Sequence, residues 1–125
     1  MNTRNDIETV MDIELLVNSF YQKLQTNRVI GYIFVDIVHF GKKMYLRDMV
    51  NFWENTLFYT GSYNGNPILF HKNLNKIFKL TTEHFIEWNA LFTATVDELF
   101  SGEKANLAKQ RAVGVSAVVQ LEVAS

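Results

Sequence analysis

The residues of this chain best equipped for chemistry are three histidines, two tryptophans and five tyrosines, and there is no cysteine. The lack of cysteine excludes thiolate catalysis, disulfides and Cys-based zinc or iron–sulfur sites. His39 precedes a helical stretch by a few residues. His84 falls in the first turn of another, with Glu87 three residues on, but no second His–Glu pair completes a di-metal carboxylate site. His71 lies in a short segment between two long aromatic-rich stretches. Taken by itself, such a histidine is more often a partly buried, hydrogen-bonded side chain than a ligand. Its setting adds Phe20, Tyr21, Phe34, Met49, Phe52, Trp53, Phe70, Phe85 and Trp88, which could line a flat, dry slot. One imidazole in such a slot suffices to hold the iron of haem, a large, planar and mostly apolar group. Tyr21 and Trp88 each carry one hydrogen-bond donor on an apolar body, which suits a small polarised ligand. The competing reading of the same stripe is plain hydrophobic core.

Other chemistry finds little support. There is no Ser–His–Asp order, no glycine-rich phosphate loop and no clustered carboxylate pair. A chain of 125 residues has room for one domain, here 1–125 with 1–10 as a short N-terminal extension. Aromatic residues at 14% supply more apolar area than a small core needs, which points to a lined cavity or an interface. A net charge of −1 lacks the basic excess of a nucleic-acid binder. No apolar run approaches the roughly 18 residues of a membrane span. Met1 to Met11 carries charges and no long apolar core, so no signal peptide is read there. A cytoplasmic protein is the expectation, with neither nucleic acid nor membrane as partner.

One proline and six glycines in a chain with helical periodicity predict an all-α fold. The first helix runs from about Met11 to Asn27, with Ile13, Leu16, Val17, Phe20, Tyr21 and Leu24 on one face. Gly31 breaks the pattern, and the apolar segment Gly31-Tyr32-Ile33-Phe34 is expected to lie against the core. A second helix spans about Lys42 to Tyr59, with Tyr45, Met49, Phe52, Trp53 and Leu57 inward and Lys42, Lys43, Arg47 and Asp48 in water. Gly61 is its expected stop. The turn Gly61-Ser62-Tyr63-Asn64-Gly65-Asn66-Pro67 leads into a short helix with Phe70, His71 and Leu74. The third long helix covers about Thr82 to Phe100, capped by Thr81 or Thr82 and carrying Phe85, Trp88, Leu91, Phe92, Thr95, Val96 and Leu99. The last runs from about Glu103 to Val123. Its valine-rich end has weak helix propensity, so packing must hold it.

In this order and at these spacings the chain resembles a truncated haemoglobin of group III, over roughly Ile13 to Ala117. The pieces are Phe20-Tyr21, Gly31-Tyr32-Ile33-Phe34, Leu46, Met49 and Phe52-Trp53, then the turn from Gly61 to Pro67 with His71 and Leu74. His84-Phe85, Trp88, Leu91-Phe92, Thr95 to Phe100, Ala108 and Arg111-Ala112 complete the match. The resemblance implies an all-α shortened globin fold, a two-over-two helical sandwich around haem b. It implies His71 as the proximal iron ligand, and Tyr21 and Trp88 as distal residues facing the bound ligand. It places Phe34 against the ring and Met49 on the distal side, with Phe20, Phe52, Phe70, Leu74 and Phe85 among the residues around the cofactor. Lys43, Arg47 and Lys72 become candidates for its propionates.

Three positions depart from the family pattern. Tyr45 stands where histidine is usual, Lys42 where a tryptophan is common, and Tyr32 where a proline follows the glycine. Tyr45 is left with several roles: a third donor, a gate, a phenolate ligand of ferric iron, or a side chain turned to solvent. The implied activity is binding of O2, NO or CO, with anions on ferric iron and a reductase as further partners. Redox chemistry on O2 or NO (NO dioxygenase or peroxidase-like) or sensing fits better than bulk transport. The reading from another class is a haem-free helical interaction module, whose stripes are core plus a partner groove.

Overall fold

The computed structural model describes residues 4–59 and 80–124, the side chains of 34–40, 42 and 122–124 excepted. Four helices are described: α1 (Val10–Thr26), α2 (Gly31–Phe58), α3 (Thr82–Leu99) and α4 (Glu103–Ala124). α1 packs on α2 and α3 packs on α4, and the two pairs meet through α1 on α3 and α2 on α4. This is a two-over-two helical sandwich. The faces that meet are those the periodicity predicts: Ile13, Leu16 and Leu24 from α1, Leu57 from α2 and Val96 from α3 are fully buried. On α4, Ala105, Ala108 and Ala112 are buried. Their small side chains let that helix approach closely. Val119 is buried near its end, whereas Val113 and Val118 are exposed.

Two corrections concern α2. Gly31 does not merely break a pattern. It opens the helix, and its missing side chain is required, since a Cβ there would lie 2.7 Å from the Gln25 carbonyl oxygen. The helical path then continues through His39, which therefore lies within α2 rather than before it. It breaks sharply at Gly41, where φ is 134° and ψ 52°, a region closed to other residues. α2 ends at Phe58 with Tyr59 as its C-cap, at the end the periodicity predicts, and Gly61 lies outside the described residues. Tyr59 adopts φ 57°, ψ 39° and donates its N–H to the Asn55 carbonyl at 2.9 Å. Lys104 Nζ donates to the Leu57 carbonyl at 2.7 Å, so a cation from α4 satisfies one of the orphan acceptors at that terminus.

The helix starts are tied down by side chains. Thr9 and Asp12 form a reciprocal capping box on α1. Asn27 organises the α1–α2 turn by accepting from the N–H groups of Val29 and Ile30, and donates across to Glu87 Oε2 at 2.9 Å. The first turn of α4 is capped from a distance: the Asp6 carboxylate accepts from Lys104 N at 2.9 Å and Ala105 N at 2.8 Å. Burial pushes the Asp6 carboxyl up, but the amide donors of Lys104, Ala105 and Ile7 and the Lys104 charge outweigh it, and its pKa lies below the ordinary carboxylate value. A depressed folded-state pKa gives stability that is present above the unfolded value of about 4 and lost as pH falls through the folded one. Asp6→Ala should therefore cost about 1–2 kcal/mol at pH 7 in urea unfolding. The gap between variant and parent should begin to narrow below about pH 4 and shrink further as pH falls through the lower folded-state value. A gap that persists unchanged at pH 3 would count against this clasp.

Candidate functional site

Helical spacing from three elements builds one aromatic cluster. α1 contributes the adjacent Phe20 and Tyr21, both buried. α2 contributes Tyr45, Met49, Phe52 and Trp53, spaced four, seven and eight residues from the first. α3 contributes Phe85, Trp88 and Phe92, at intervals of three and four. Phe92 is the hub. It stacks on Trp53 (centroids 4.8 Å, planes 19° apart) and on Trp88 (5.6 Å, 5°). Phe20 meets both Trp88 and Phe92 edge-on, at 5.3 and 5.1 Å. Tyr45, Met49, Phe52 and Trp88 pack against this core yet remain only partly buried. Large apolar groups left part-open beside a closed core make a surface suited to a flat apolar partner.

The polar atoms in that surface are few. Trp88 Nε1 is buried and has no acceptor among the described residues. Such an orphaned donor costs about 1–3 kcal/mol of desolvation, which a fold tolerates where a ligand will supply the partner. The rings of Tyr21 and Tyr45 lie 5.8 Å apart. Burial raises the Tyr21 phenol above its usual pKa. Tyr45 is pushed up much further, first by burial and then by the charge a Tyr21 phenolate would add. Both rings therefore carry their protons as donors at neutral pH. The position of Tyr45, packed on Tyr21 and the core, differs from a side chain turned to solvent.

The other candidate residues divide cleanly. Lys43 and Arg47 lie on the exposed side of α2, and Phe85 is buried. Phe70, His71, Lys72 and Leu74 lie outside the described residues, as do the side chains of Phe34 and His39. His84 has a structural role. Its Nδ1 accepts from Thr81 N at 3.1 Å while the Thr81 hydroxyl accepts from His84 N, a capping box with histidine in the place of the usual Glu or Gln. The ring proton is then on Nε2, which faces the Tyr32 hydroxyl at 3.1 Å. Glu87 is engaged by Asn27, and among the described residues no group of three His, Cys, Asp or Glu could hold a metal. Sequence reasoning missed the Phe92 hub and the histidine cap. The Thr81-x-x-His84 spacing signalled the second.

Among the described residues no helix is long and apolar enough to cross a membrane. No protein-family model matches the chain. A group 3 truncated haemoglobin of Campylobacter jejuni is 29% identical over 103 residues, covering 80% of this chain and 79% of that protein. The crystal structure of the group III truncated haemoglobin from Campylobacter jejuni superposes with a TM-score of 0.83 at 25% identity, over 97% of this chain and 95% of that one. The helical sandwich is thus a truncated-globin fold.

Proposed function

We propose that this chain, which is similar in sequence and fold to the group III truncated haemoglobins, holds haem b and binds O2, NO and CO. The observation that carries the reading is the buried, acceptor-free Nε1–H of Trp88 beside a part-open aromatic surface. The residues fit the group: an apolar wall on three helices, exposed cations at Lys43 and Arg47, and a donor that lacks a partner. When bound, haem supplies an iron that takes one diatomic gas and polarises it. His71 is the residue assigned to hold that iron through Nε2. Its Nδ1–H would donate to a backbone carbonyl, which fixes the ring and tunes its basicity. Phe20, Phe34, Met49, Phe52, Phe70, Leu74 and Phe85 pack the ring and keep water out. Lys43, Arg47 and Lys72 pair with the propionates.

Trp88 Nε1–H and the Tyr21 hydroxyl donate to the negative charge on the ligand. Tyr45, packed beside Tyr21, serves as a third donor or as a gate. Two hydrogen bonds to a charged acceptor, each worth about 1.5–3 kcal/mol, retain a ligand too long for bulk transport. Redox chemistry on O2 or NO with a reductase, or sensing, follows. Optical and resonance Raman spectra of the ferric, ferrous and CO-bound protein test this. A histidine–iron band in the ferrous form would support His71 as the ligand, and tyrosinate bands in the ferric form would show Tyr45 on the iron. A protein that stays colourless after haem addition overturns the reading.

A further inference from the structure

Trp88 has nothing polar among the described residues to hold its indole in place. A side chain with two free torsions and no hydrogen bond is aimed only by what packs on it. Here two rings do so. Phe92, one turn further along α3, lies parallel to the indole, with planes 5° apart, and Phe20 from α1 abuts it edge-on with planes 81° apart. Phe92 is itself fixed, being 1% exposed, stacked on Trp53 and met edge-on by Phe20. Offset-stacked and edge-on pairs are the favoured aromatic geometries, so both contacts resist rotation of the indole. We infer that Phe92, with Phe20 as second wall, is a positioning residue that sets the direction of the Trp88 Nε1–H and so the strength of the hydrogen bond offered to a bound ligand.

This rests on the haem-protein reading above, and its test separates the two. Infrared spectra of the CO complex read the field at the ligand through the C–O stretch. Nitrogen–proton NMR reads the indole directly, since a chain with two tryptophans gives two indole signals, and Trp88→Phe assigns them. Phe92→Leu should move the C–O band towards its Trp88→Phe position, shift the Trp88 indole signal and speed dioxygen release by about threefold to tenfold, the worth of one aromatic pair. Phe92→Tyr keeps the ring and should restore the band. Phe20→Leu should give a smaller shift of the same sign and serves where Phe92→Leu folds poorly. Val119→Ala, a buried deletion outside the cluster, should destabilise without moving the band. An unmoved band and indole signal in both ring-loss variants, with Trp88→Phe shifting the band, would overturn the positioning role alone. A band that ignores Trp88→Phe removes the donor reading, and this inference with it.

Discussion

Replacing His71 with glycine is expected to yield a protein that loses haem during gel filtration and regains it when free imidazole is supplied. The loss should exceed the roughly 10–100-fold that follows removal of an outer-shell partner, because the bond to iron itself is deleted. Among the described residues, the structure supplies a reason why His84 does not step in. Both ring nitrogens of His84 are engaged, Nδ1 by the Thr81 amide and Nε2 by the Tyr32 hydroxyl, each at 3.1 Å. Breaking that arrangement would uncap α3, at about 1 kcal/mol. The chain has no cysteine to supply a thiolate. His39→Gln and His84→Gln should retain haem, the latter because glutamine completes the same capping box. A His71→Gly protein with parental spectra, without added imidazole, would show that the iron is held elsewhere.

The elements that place these residues are largely legible in the sequence, and the exceptions share a physical cause. α1 and α3 are readable because their apolar residues recur at helical spacing and their starts carry Thr9 with Asp12 and Thr81 with His84. Those signals are local. The start of α2 is not readable, because Gly31 and Gly41 each read as a boundary and the run between them is short. The end near Tyr59 is legible, but the left-handed conformation that makes it is not. A non-glycine residue in the left-handed region is held by tertiary help, here the Lys104 side chain on the Leu57 carbonyl and near the Tyr59 ring. The Asp6 cap on α4 joins residues 98 apart in sequence. For the site, Tyr21 and Trp88 stand out as donors by residue type. That Trp88 Nε1 is buried without an acceptor could not be read, since an unmet bond depends on everything packed around it.

That unmet bond gives the second large expected effect. Trp88→Phe removes the donor and keeps a ring to stack on Phe92. Dioxygen release should then be about tenfold to a hundredfold faster, the worth of one hydrogen bond to a charged acceptor. In the ligand-free protein the same substitution should leave unfolding stability unchanged or raised. An ordinary truncation of a packed tryptophan loses about 3–5 kcal/mol, but here the ring stays and an orphaned polar atom, which costs about 1–3 kcal/mol, disappears. The opposed signs are the diagnostic. If Trp88 were only core, release would not change, and the smaller ring would cost stability through lost contacts. If it is a donor waiting for a ligand, stopped-flow release must quicken while thermal unfolding of the ligand-free protein stays level or shifts upward.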